Sequence, residues 1–123
     1  MGRPIRSLVD GRAITSNLSL LKNKSRNCKV IAVVKADGYG HGIINIIPFL
    51  AQADALAVSS IEEAIKLRKL TNKVIFLLEG FFGSEELISI QNNNLKLVLH
   101  SSEQLRILMN TNFSKIDIWV KVN

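Results

Sequence analysis

The sequence predicts an α/β fold of parallel βα repeats, read as the first part of a TIM-type (β/α)8 barrel. Short aliphatic runs alternate with helical patterns about every twenty residues, the signature of βαβ units. The runs are continuous rather than alternating, as in parallel strands buried on both faces. The 123 residues close on a strand, whereas a closed barrel of eight units needs roughly 250. A complete five-stranded open sheet is the competing architecture.

The elements follow in order. An apolar run from Ile5 to Val9 ends at Asp10, a residue suited to cap a helix in which Ile14, Leu18 and Leu21 share one face. Val30 to Val34 reads as the first buried strand, with Cys28 small and half-buried at its start. A helical stretch spans Ile43 to Ala53, and Pro48 bends it or starts its second piece. Residues 55–58, "ALAV", form a short strand. Ser60 and Glu63 make a capping box before "AIKLRKL". Val74 to Leu78 is the third strand, Glu85 to Gln91 a helix, and Leu97 to Leu99 the fourth strand. Ser101 and Gln104 form a second capping box, with Leu105, Leu108 and Met109 on one helical face, and "IDIWVKV" (116–122) is the last strand.

Composition limits the function classes. Hydrophobic residues are 47% of the chain, enough to bury a core. Sixteen basic and ten acidic residues give +6, a charge that could attract phosphate, nucleic acid or acidic lipid. The basic residues are scattered among apolar helices, as at Lys66, Arg68 and Lys69, without a run of five like charges, and aromatics are only 6%. Solvated helix faces account for such a pattern better than a nucleic-acid surface. A single cysteine offers neither a disulfide framework nor a metal cluster, which fits a cytoplasmic setting. No apolar run approaches the length of a membrane span, so no membrane partner is expected.

The stretch "VIAVVKADGYGHG", residues 30–42, carries the chemistry. Lys35 stands at the carboxyl end of a strand, where barrels and open sheets alike place their sites. A lysine there, partly desolvated, can act as a base or form a Schiff base. Gly38, Gly40 and Gly42 let the backbone approach a ligand and expose its N–H groups, and the next helix aims its N-terminus at the same place. Tyr39 could donate its hydroxyl to a phosphate. Pyridoxal phosphate needs both a lysine and a phosphate cradle. From the residues alone, a lysine leaving the strand into solvent and glycines that merely turn the chain explain the stretch as well. "GYGHGI" also begins like a dinucleotide fingerprint, but Ile43 stands where the third glycine belongs. Asp37 reads as a turn residue, His41 as a residue that orients the loop or caps the helix, and Phe81 as packing.

"AVVKADGYGHG" resembles the cofactor-lysine motif of bacterial alanine racemases. The likeness extends along the chain: "RP" near the start, Asp10, Ala13, Ile14 and Asn17 in the first helix, then "EEAIKLRKL", "LLEGFF", "LVLHSSEQL" and "WVKVN" in the expected order. The resemblance implies an N-terminal (β/α)8 barrel that continues beyond these residues, a C-terminal β-domain, and a homodimer sharing its sites. It implies the interconversion of L- and D-alanine, which supplies D-alanine for peptidoglycan. Lys35 would hold pyridoxal phosphate as an aldimine, and Tyr39 would contact its phosphate. Lys121, in "WVKVN", matches a family lysine that is often carbamylated, and alternation places it with Asp117 and Trp119 inside the barrel. Asn123 stands where many members carry Asp. The arginine-bearing segment that follows in the family and the second catalytic tyrosine fall outside the chain, so racemisation by the chain alone is not expected. A non-catalytic pyridoxal-phosphate-binding module and a basic nucleic-acid-binding domain are the alternatives.

Overall fold

The computed structural model describes residues 2–112 and 115–122. One sheet contains β1 (Ile31–Val33), β2 (Ala55–Val58), β3 (Val74–Leu77), β4 (Lys96–Leu99) and β5 (Ile118–Val120). The strands lie in sequence order and every pairing is parallel. Between them come α1 (Gly11–Lys24), the turn α2 (Lys35–Tyr39), α3 (Ile43–Ile46) with a 3-10 turn at Ile47–Leu50, α4 (Ile61–Arg68), α5 (Glu86–Asn92) and α6 (Ser102–Met109).

Strand order decides between the two architectures. An open doubly wound sheet reverses its order and covers both faces with helices. Here Leu56, Val58, Ile75, Leu77, Leu97 and Leu99 join Leu18, Ala64, Leu67, Leu87 and Ile90 in one core on the helical side. Ala55, Ala57, Phe76 and Val98 form a separate cluster on the opposite face. All helices therefore pack on one side of a singly wound sheet, the arrangement of the first part of a (β/α)8 barrel.

Local chemistry sets the element ends. Asp10 caps α1, its carboxylate accepting the amides of Arg12 and Ala13 at 2.9 and 3.2 Å. Ser60 caps α4 and Ser101 caps α6. Pro48 sits in the first turn of the 3-10 segment, as expected of a proline that restarts a helix.

Several expectations need correction. β1 is shorter than Val30 to Val34, although the Val30 carbonyl and the Val34 amide still bond to residues on the β2 side. It is not buried on both faces: Ile31 and Ala32 are half-buried and Val33 is exposed, because β1 is an edge strand. Leu21 lies exposed at the end of α1, and Cys28 is exposed in the loop before β1. On α6, Gln104 is buried while Leu105 and Met109 face outward, so the helix docks through a stripe offset from the expected one.

Lys66 and Lys69 are exposed, as expected of solvated helix faces, but Arg68 and two other basic residues are engaged with backbone. Arg68 donates to four carbonyls, of Thr71, Lys73, Asn93 and Asn94, and burial lowers its pKa. Lys73 bonds the carbonyls of Ala51 and Ala53, and Lys22 bonds that of Gln52. These cations close the loops that lead into the amino ends of the strands.

Candidate functional site

The glycine-rich stretch folds against the handedness rule. In α2, Ala36 (φ 51, ψ 50), Asp37 (φ 54, ψ 45) and Gly38 (φ 65, ψ 41) are left-handed, and Tyr39 follows at φ 56. Each non-glycine residue there costs roughly 1 to 2 kcal/mol. Successive i to i−4 bonds, Gly38 N to Val34 O and Gly40 N to Ala36 O, both 2.9 Å, hold the turn together. Gly38 suits the turn on two counts, because a Cβ would also meet the end of the Ile46 side chain at 2.5 Å and force it to move. Strain of this kind persists where surrounding contacts over-determine it.

Those contacts are specific. The Asp37 carboxylate accepts the Ile43 amide at 2.9 Å and its carbonyl accepts that of Gly42 at 2.9 Å. His41 Nδ1 lies 2.8 Å from the Gly38 carbonyl. Glu63 reaches from α4 to accept the amides of Ala36 at 2.5 Å and Ser59 at 3.1 Å. The capping box is thus only half formed: the Ser60 hydroxyl accepts the Glu63 amide at 3.4 Å, while the glutamate turns to the loops instead of the Ser60 backbone.

This geometry revises the phosphate cradle read from the sequence. The amides of Gly38, Gly40, His41 and Gly42 all donate to carbonyls within the turn, and that of Ile43 donates to Asp37. α3 has only four residues. The glycines serve backbone conformation rather than a nest of free donors.

Lys35 opens α2 two residues past β1, half-buried, and its amine has no hydrogen-bonding or ionic partner among the described residues. Tyr39 closes the same turn, 57% exposed, beside Val9 and His41 in a groove of about 320 Å³. The residues fit a carbonyl-bearing, phosphate-bearing cofactor in part: an unengaged amine for covalent attachment and an unengaged phenol for one phosphate oxygen, without the expected amides.

Lys121 lies at the other side of the sheet. Its amide donates to the Leu99 carbonyl at 2.8 Å, so the ladder continues past β5. Trp119 packs on Phe76 and Asp117 pairs with Lys96 at 2.5 Å, which sets the concave face to which alternation assigns Lys121. Four strand spacings separate β1 from β5, roughly 19 Å along the sheet. The structure does not join Lys121 to Lys35. Asn123 lies outside the described residues.

Between these ends, His100 and Gln104 bind the loop after β3. His100 Nε2 lies 3.0 Å from the Glu79 carbonyl, and Gln104 Nε2 donates to the carbonyls of Glu79 and Phe81 at 2.9 and 3.0 Å. Gln104 is the one buried polar side chain among the described residues, at 7% exposure. Glu63 and Gln104 were visible in the sequence only as the fourth members of capping boxes. Phe81 is buried as expected, whereas Phe82 is exposed.

Comparison with known proteins agrees with this architecture. The family described as "Alanine racemase, N-terminal domain" matches residues 9–123. Alanine racemase of Nitrosomonas eutropha is 45% identical, across 100% of this chain and 35% of its own length. That of Haemophilus influenzae is 40% identical, across 98% and 34%. The crystal structure of biosynthetic alanine racemase from Pseudomonas aeruginosa superposes with a TM-score of 0.88 at 34% identity, over 93% of this chain and 33% of that one. Alanine racemase from Bartonella henselae, solved with covalently bound pyridoxal phosphate, superposes at 0.73 with 31% identity, over 80% and 29%. The chain spans about a third of the length of these relatives. With its singly wound sheet and its lysine-bearing left-handed turn, the chain belongs to the alanine racemase N-terminal domain family.

Proposed function

We propose that Lys35 binds pyridoxal phosphate covalently and that the chain is the lysine-bearing portion of an alanine racemase. The observation that carries this reading is the Lys35 amine, unengaged just past β1 and followed by a turn held in a costly conformation. The cofactor, when bound, supplies an electron sink for charge developing at the substrate α-carbon. With the cofactor and alanine bound, the Lys35 amine would take or return the α-proton on the D face. The Tyr39 phenol donates a hydrogen bond to the cofactor phosphate. Asp37 and His41 hold the turn that carries both residues.

On this reading residues 1–123 are the N-terminal part of the barrel domain. The rest of the barrel, a C-terminal β-domain and a second subunit complete the site, with the partner supplying the base for the L face. The cytoplasmic homodimer provides D-alanine for peptidoglycan. Lys121, as a carbamate, places an anion on the concave face. The chain by itself, with one of the two bases, does not racemise alanine at a useful rate.

The test is an absorbance spectrum of the chain with pyridoxal phosphate beside Lys35→Ala, followed by borohydride reduction and mass spectrometry. A visible band lost in the variant, with the adduct on Lys35, supports the reading. Adducts spread over surface lysines refute it. Alanine turnover separates the racemase from a cofactor-binding module: a site-specific adduct with no turnover, even after the remaining two thirds of a relative is supplied, favours the module.

A further inference from the structure

We infer that Glu63 is a positioning residue: its carboxylate clamps the lysine turn to the end of β2 and so sets the direction of Lys35. The inference rests on Lys35 being the cofactor lysine. Glu63 Oε1 accepts the Ala36 amide and Oε2 the Ser59 amide, at 2.5 and 3.1 Å. Ala36 directly follows Lys35 and is the first left-handed residue of the turn. Ser59 directly follows β2. One side chain thus joins the loops after two neighbouring strands, and the half-buried carboxylate offers both oxygens to backbone donors. The Ser60 hydroxyl fixes the Glu63 amide, and α4 packs on the core through Ile61, Ala64 and Leu67, so the clamp is anchored. Charge-assisted bonds to backbone amides are among the stronger neutral-to-ionic contacts. A glutamine keeps the length but has only one accepting oxygen, so it satisfies one amide and leaves the other unpaired. An aspartate is one methylene too short to span both.

The experiment compares the chain with Glu63→Gln by amide hydrogen exchange and by titration with pyridoxal phosphate, borohydride fixation and peptide mapping. In the unsubstituted chain the Ala36 and Ser59 amides should exchange slowly. In Glu63→Gln at least one of them should exchange about tenfold faster, and half-saturation of the Lys35 adduct should need about tenfold more cofactor. Glycine occupies the left-handed region freely, so adding Ala36→Gly to Glu63→Gln should restore part of the attachment, while the amides of Leu56 and Ile75 in the core exchange at the same rate in all three chains, which a general loss or gain of stability would not permit. Unprotected Ala36 and Ser59 amides in the unsubstituted chain overturn the inference, a readout that stands even if the variant does not fold. Faster exchange with unchanged attachment also overturns it, leaving Glu63 a structural tie. Protected amides with no Lys35 adduct in the unsubstituted chain sink the cofactor reading itself, and the positioning role with it.

Discussion

The rings of Phe76 and Trp119 meet across the strand between them, with centroids 4.6 Å apart and planes tilted 58°. Phe76 is buried on β3, Trp119 half open on β5, and Val98 of β4 pairs with Trp119 in register. The contact ties the last strand to the concave face. Trp119 is the single tryptophan of the chain and therefore reports on this contact. Phe76→Ala is expected to lower stability by about 3 kcal/mol and to shift the tryptophan emission to the red. Urea denaturation followed by fluorescence checks both; unchanged emission would contradict the contact.

Tyr39→Phe removes only a hydroxyl that makes no bond to the described protein. Stability should stay within about 0.5 kcal/mol of the parent. Half-saturation with pyridoxal phosphate should rise several-fold while the adduct remains on Lys35, a loss on the order of 1 kcal/mol for one hydrogen bond. Equal affinity in the two proteins would remove Tyr39 from the phosphate site.

Gly80 follows β3 at φ 72, and a Cβ there would lie 2.7 Å from both the Val98 carbonyl and Gln104 Nε2. Gly80→Ala combines a left-handed alanine with a clash against backbone, so a loss of about 2 kcal/mol or more is expected. Gln104→Leu, which removes the donor to the Phe81 carbonyl and one of the two ring or amide nitrogens at the Glu79 carbonyl, should destabilise the same loop. Thermal melts of both variants at the parent's midpoint would fail this account if they moved by less than a degree.

Asp54 accepts the Val30 amide at 2.7 Å and pairs with Lys22 at 3.0 Å. Those two contacts lower its pKa, the backbone bond first. Lys96 lowers that of Asp117, and Arg106 that of Glu103. A carboxylate with a depressed folded-state pKa stabilises above its unfolded value, about 3.9 for aspartate, and loses that contribution as the pH falls through the folded value. The chain should therefore hold its melting temperature down to about pH 4 and lose a modest part of it below, because these pairs are solvent-exposed. Asp54→Asn should flatten that acid limb, and melts at pH 3 and 7 that differ equally in parent and variant would speak against it.

The strands and caps were legible because they depend on near neighbours. Continuous aliphatic runs mark the strands, although only the inner strands β2, β3 and β4 are buried, and Ser60 and Ser101 act on amides three residues away. Asp37 as a turn residue follows the same logic. What the sequence concealed depends on partners distant along the chain. Glu63 reaches back 27 residues to Ala36, and Arg68 reaches forward to Asn93. The left-handed turn was hidden for a related reason. Its glycines signalled freedom of conformation, but Ala36, Asp37 and Tyr39 adopt the same region only because the surrounding bonds impose it. Those bonds also consume the amides that looked available to a phosphate. Cys28 and Leu21 were misjudged because apolar character does not say which end of an element meets the core.

The sheet order has a consequence for kinetics. Every strand pairs with the strand next in sequence, after one intervening helical connection, so no pairing waits for a distant segment to arrive. Closure entropy for each new pair is that of a single short loop. Folding should accordingly proceed by successive docking, each βα unit using the exposed backbone of the previous strand as its template. A nascent chain can acquire this sheet from its amino end while the ribosome is still adding residues, at about 5–20 per second.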